Sequence, residues 1–199
     1  MASITGMIPA LILGAGQSTR MGRAKLTLPW DETTVLGHIL DTYAEAGAGP
    51  IVVVTGGHRE AVMEAATGRD VSFAHNADFH RGEMLRSIQI GLRNLLEQPY
   101  HACLVTPGDL PAIKVQTVRE VIAAGSGSGS LIVPSFKMRR GHPVMLGRAY
   151  WEELMAMDEG LSLRNFLNQH QERIQYVLVE DEGMFFDLDT PQDYAALKP

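Results

Sequence analysis

Ala10-Leu11-Ile12-Leu13-Gly14-Ala15-Gly16-Gln17-Ser18-Thr19-Arg20-Met21-Gly22-Arg23-Ala24-Lys25 is the stretch on which the reading of this chain turns. An apolar strand, expected over 8–13, runs directly into a glycine-rich turn. Glycines there let backbone N–H groups approach a ligand closely, and successive N–H groups form a concavity that suits anions. Arg20 adds a forked, permanently charged donor and Lys25 a mobile point charge. A phosphate-bearing ligand is the natural occupant.

Two better-known phosphate loops do not fit. The dinucleotide fingerprint G-x-G-x-x-G finds Thr19 at its third glycine, and a Walker A loop needs Lys where Arg23 follows Gly22.

Outward from this turn, short apolar runs alternate with helical patterns. Strands are expected at Ile51-Val52-Val53-Val54-Thr55, 71–74, 102–105 and 131–133. Helices are expected over 35–46, 59–66, 83–96 and 114–124, from apolar residues at helical spacing. A further helix starts at Thr190-Pro191-Gln192-Asp193, with Thr as N-cap and Pro in the first turn. Such alternation implies βαβ units, hence an α/β fold with a mainly parallel sheet covered on both faces. The Gly/Ser run from Gly125 to Ser130 reads as a mobile loop inside one domain spanning residues 1–199.

Composition narrows the partners. The 199 residues suffice for a three-layer core, and 45% hydrophobic with 20% charged residues is ordinary for a globular protein. A net charge of −6 argues against a nucleic-acid backbone as partner. The single cysteine, Cys103, lies in an apolar run and reads as a buried structural thiol. The first residues lack the pattern of a signal peptide, and no segment reaches the length of a membrane span. The expected location is cytoplasmic.

In open parallel sheets, ligands bind beyond the carboxyl ends of the strands. Asp109 follows the strand at 102–105, where it serves either as a turn residue or as a holder of the divalent cation that neutralises a triphosphate. Asp187 and Asp189 point to one side if their segment is extended. They can complete a magnesium site or hold hydroxyls of ribose or acceptor, whereas Asp193 reads as capping. His142, fixed between Gly141 and Pro143 and preceded by Arg139 and Arg140, suggests a second anion site for an acceptor phosphate.

The opening stretch, continued to Leu26-Thr27-Leu28-Pro29, resembles the signature of the MobA-like nucleotidyltransferases, L-x-[AG]-G-x-[SG]-x-R-M-G-x-x-K-x-L-L-P. Gly108-Asp109-Leu110-Pro111 is similar to that family's G-D-x-P, and Asp187 to Asp193 to its [DN]-x-[DN]-T-P-x-D. Arg139 to Val144 resembles the R-x-G-H-P-V segment of the molybdenum cofactor cytidylyltransferase branch. Asn76, Gly82, Ser87, Gly91 and Leu92 match a further segment, from which Glu83 and Arg86 depart. Gly14 departs from that branch's usual Ala, while Ala15 is retained and favours CTP over GTP.

The resemblance implies a three-layer α/β/α Rossmann-like fold of the nucleotide-diphospho-sugar transferase type. It implies transfer of a nucleoside monophosphate, CMP from CTP, to a phosphorylated acceptor, molybdopterin, with release of pyrophosphate. Arg20, Lys25 and Asp109 would be catalytic. Leu13, Gly14, Ala15, Gly16, Gly22, Gly82 and Ser87 would bind nucleotide, and His142, Arg140 and Asp189 the acceptor. Asp109 and Asp187 would hold Mg2+. Transient docking on a molybdoenzyme is compatible with this reading. The alternatives are GTP as donor, a sugar or alcohol phosphate as acceptor, and a non-catalytic carrier of the cofactor.

Overall fold

A computed structural model of the chain describes residues 6–16, 24–81 and 84–199. The expected first strand forms as β1 (Ala10–Gly14), and a short hairpin follows from β2 (Pro29–Trp30) and β3 (Thr33–Thr34). Helix α1 (Val35–Glu45) begins at Thr34, whose side chain accepts a hydrogen bond from the Gly37 N–H and caps the first turn. Then come β4 (Ile51–Thr55), α2 (Arg59–Ala65), β5 (Val71–His75), α3 (Met84–Leu95), β6 (Ala102–Pro107) and α4 (Val115–Ala123). The last third contains β7 (Leu131–Phe136), β8 (Arg139–Arg140), β9 (Val144–Gly147), α5 (Trp151–Ala156), α6 (Leu163–Gln169), β10 (Gln175–Leu178) and α7 (Pro191–Leu197).

The main sheet has the order β10-β7-β9-β6-β1-β4-β5, with β8 paired to β7. Pairs β1/β4, β1/β6, β4/β5 and β7/β10 are parallel. Strand β9 runs antiparallel to both β6 and β7, so the sheet is mixed but mostly parallel. Successive side chains of a strand face opposite ways, and the two resulting cores are distinct. Ala10, Ile12, Val53, Leu104 and Ile132 pack with α1, α4 and α7. Leu11, Val52, Val54, Val105 and Leu131 pack with α3, α5 and α6. This is the three-layer arrangement expected, and it explains why the strands read as uninterrupted apolar runs.

Several elements had no signature in the pattern of residues. Strands β9 and β10, helices α5 and α6, and the β2–β3 hairpin are all absent from the expected set. The Gly/Ser run differs too: it is tied to the end of β9 rather than free. Ser130 O accepts from Gly147 N at 2.6 Å and Ser128 O from Ala149 N at 2.9 Å.

From β1 the chain builds outward through β4 to β5, then crosses to β6 on the other side of β1. The strand order therefore reverses between β1 and β6, and their carboxyl ends flank the crevice where such sheets bind ligands. No helix among the described residues is long and apolar enough to cross a membrane.

Candidate active site

Lys25 opens a single 3-10 turn, Lys25–Thr27, that packs over the end of β1. Leu26 and Leu28 are buried beneath it, and the contact is close: a Cβ on Gly14 would lie 2.8 Å from Leu26 Cδ1. A side chain at position 14 would therefore make the end of Leu26 shift. Around Gly16 the space is open among the described residues, so packing does not account for that glycine. Burial of the two leucines fixes the turn and aims Lys25 across the switch point.

There the ammonium meets two carboxylates. Lys25 Nζ donates to Asp109 Oδ2 at 2.6 Å and to Asp189 Oδ1 at 3.2 Å. Asp109 follows β6 directly, and its turn is held against β1 by Gly108 N donating to Leu13 O at 2.9 Å. Its second oxygen, Oδ1, is buried without a hydrogen-bond partner. Asp187 and Asp189 arrive from the far end of the chain. Between them Leu188 is fully buried, and its N–H donates to Asp109 O at 3.0 Å.

The electrostatics follow from this crowding. Burial alone would lower the Lys25 pKa, but Asp109 and then Asp189 outweigh it and hold the ammonium above its ordinary 10.5. Partial burial, then Asp109 and Asp189, push the Asp187 carboxyl above its ordinary range, with Lys25 offsetting only part. His142, between β8 and β9, has Nδ1 3.4 Å from Val105 O at the end of β6. Burial lowers its pKa, opposed by the Val105 carbonyl and by Asp109.

Not every expected site residue gathers here. Leu13, Gly14, Ala15 and Gly16 form the end of β1 and the start of the glycine turn. Arg20, Gly22 and Gly82 lie outside the described residues. Ser87 is buried in the first turn of α3, where it accepts from Asn76 Nδ2 at 3.0 Å. Arg140 is engaged elsewhere: Nε donates to Tyr176 Oη at 2.8 Å and Nη1 to Asn168 Oδ1 at 2.8 Å. It is not joined to the Lys25 cluster.

One residue that shapes the site was missed. Asp181 is buried and accepts from Lys114 N at 2.9 Å, Thr117 Oγ1 at 2.6 Å and Gly183 N at 2.9 Å. It fastens the start of α4 to the segment that leads to Asp187. Within the acidic run Glu180-Asp181-Glu182 nothing in the sequence singles out the one residue that turns inward to such partners.

Among the described residues, no group of three His, Cys, Asp or Glu side chains is arranged to hold a metal ion. The donors are nevertheless compatible with a hard cation. They are carboxylate oxygens, one of them buried and unpartnered. Magnesium-type sites commonly take one or two protein carboxylates and complete the shell with phosphates and water.

A mostly parallel sheet with a glycine turn after its first strand and a lysine–aspartate cluster at the switch point defines a nucleotidyltransferase of the nucleotide-diphospho-sugar transferase type. The Rv0371c protein of Mycobacterium tuberculosis H37Rv has this fold, with a TM-score of 0.82, 26% identity and coverage of 96% of this chain and 97% of that one. So has a nucleotidyl transferase from Methanothermobacter thermautotroptrophicus, at TM-score 0.82, 23% identity and 96% coverage of both chains. A structure of the mycobacterial protein is a complex with manganese. Residues 10–174 match the MobA-like NTP transferase domain, and the chain belongs to that family. The molybdenum cofactor cytidylyltransferase of Escherichia coli K12 is 26% identical over 196 residues, covering 96% of this chain and 95% of that protein.

Proposed function

We propose that this chain, as one nucleotidyltransferase domain over residues 1–199, moves CMP from CTP onto a molybdopterin-type phosphate in the cytoplasm. The observation that carries the reading is the placement of Lys25 against Asp109 and Asp189 at the switch point, beside the glycine turn. The near full-length likeness to the Escherichia coli protein supports the choice of donor and acceptor.

The N–H groups of the glycine turn, with Arg20 and Lys25, hold the β- and γ-phosphates and stabilise charge on the leaving pyrophosphate. Gly82 and Ser87 are assigned to the nucleoside by the family motif they match. An oxygen of the acceptor phosphate attacks the α-phosphorus, and the bond from that phosphorus to the β-phosphate oxygen breaks. A phosphate is already ionised at neutral pH, so the acceptor needs no general base. Catalysis is alignment plus charge stabilisation. Asp109 with Asp187 or Asp189 would hold Mg2+, which neutralises phosphate charge when bound. His142 and Asp189 face the acceptor. Arg140 joins them only by releasing Tyr176 and Asn168.

The deciding experiment is pyrophosphate release from CTP and GTP in turn, with Mg2+ and molybdopterin-form cofactor, using Asp109→Ala as control. Release with CTP alone, abolished in the variant, is expected. Near-normal release by Asp109→Ala would overturn the assignment. Silence with both nucleotides, despite binding of one, would redirect the search to other phosphorylated acceptors or to a carrier role.

A further inference from the structure

The Lys25 ammonium sits against Asp109 and Asp189, two of the carboxylates that the proposed reaction offers to a divalent cation. Lys25 Nζ touches both Asp109, at 2.6 Å, and Asp189, at 3.2 Å. Asp109 lies near the middle of the chain and Asp189 near its end, and of these two contacts the one to Asp109 is the shorter. The same lysine is the cation expected to grip the triphosphate. Its N–H donors are already engaged by the two carboxylates, so a triphosphate that competes for them draws positive charge away from Asp109 and Asp189. We infer that Lys25 is an internal counter-ion that bars a divalent cation from Asp109 and Asp189 until a triphosphate draws its ammonium away. Metal and triphosphate then enter as a coupled pair. This deepens the proposed function and rests on it.

The physical argument is one of substitution. Asp109 is partly buried, with a side-chain exposure of 21%, and Lys25 is more enclosed, at 14%. Two carboxylates brought together without a cation repel each other and lose hydration. The lysine relieves this in the ligand-free protein. A divalent cation arriving alone must displace that ammonium and leave it beside a doubly charged ion. A metal arriving with a triphosphate supplies the ammonium with a new anion. Reciprocity then requires that triphosphate tighten metal binding through Lys25, in addition to any direct chelation.

The test is Mn2+ affinity of the full chain, read by electron paramagnetic resonance of free Mn2+, without nucleotide and with inorganic tripolyphosphate. Lys25→Met is compared with wild type, and Lys114→Met serves as a charge-matched control, because Lys114 Nζ is bonded to the Glu180 carbonyl instead. Lys25→Met is expected to bind Mn2+ alone about tenfold more tightly or better, and to show a smaller tightening by tripolyphosphate. Lys114→Met should match wild type. A Mn2+-induced rise in unfolding temperature, larger in Lys25→Met than in wild type, checks that the variant is folded and reports the same effect. Equal or weaker Mn2+ binding by Lys25→Met, or an equal gain in Lys114→Met, would overturn the counter-ion role while CTP binding left the proposed function standing. Failure of wild type to bind CTP or tripolyphosphate under any metal condition would overturn both.

Discussion

The backbone N–H of Leu188 donates to the carbonyl oxygen of Asp109 at 3.0 Å, and the Leu188 side chain is completely buried in the core shared by α1, α4 and α7. A core residue thereby fixes the register between two acidic segments. Truncation to Ala should cost about 2–5 kcal/mol from lost burial and the cavity left behind, measured by urea unfolding. It should also depress turnover in the surviving folded protein, because Asp187 and Asp189 lose their shared anchor.

The helix that follows is capped by a reciprocal pair. Thr190 accepts from Asp193 N, and Asp193 Oδ2 accepts from Thr190 N and Oγ1, both at 2.7 Å. These bonds hold the Asp193 carboxyl below its ordinary 3.8. The resulting stability is present above pH 3.8 and lost as pH falls through the folded value. Asp193→Ala should therefore lower the urea midpoint at pH 7. The difference should shrink as the pH is taken below 3.8.

His142 gives the opposite end of the pH argument. Burial pulls its pKa below 6.5, so the folded state resists protonation. Stability is complete above pH 6.5 and falls as the pH drops through the lower folded value. Wild type should lose more stability than His142→Gln between pH 7 and pH 5. Parallel slopes for the two proteins would show that His142 is not the titrating group.

Gly56 stands where β4 ends beside the glycine turn. An added methyl group there would run into the Ala15 carbonyl and Phe79 Cβ. Gly56→Ala should cost about 1–3 kcal/mol through overpacking, and should weaken CTP binding more than equally destabilising changes far from Ala15. Isothermal titration with CTP checks it.

Tyr194 ties α7 to the hairpin beyond Lys25. Its hydroxyl donates to the Pro29 carbonyl and its ring lies 6.5 Å from that of Trp30. Tyr194→Phe should lose about 0.5–1.5 kcal/mol of stability, measured by thermal unfolding.

Much of this was legible in the residues. Both faces of β1, β4 and β6 are buried, so their apolar runs could be nothing but central strands. Asp109 could be placed because it follows such a strand. The last third was less legible for a physical reason. β9 is only Val144–Gly147, too short for a period to show, and β10 exposes Gln175, Tyr176 and Leu178 at the sheet edge. Helix α6 is capped by Ser162 with Asn165 rather than the usual Glu or Gln three residues on. The pairing of Arg140 with Tyr176 depends on the proximity of β8 and β10, which no local pattern encodes.

The reversal of direction through β8 and β9 bears on how much change each end of the sheet can tolerate. A parallel crossover must span the sheet and needs a dozen or more residues, whereas an antiparallel return needs only a turn. Residues 137–143, which deliver His142, form such a return. Lengthening it would add mainly loop-closure entropy, which grows slowly with length, and would leave β1, β4 and the glycine turn as they are. The architecture thus constrains the glycine-turn end by the buried sheet and leaves the His142 end open to insertion.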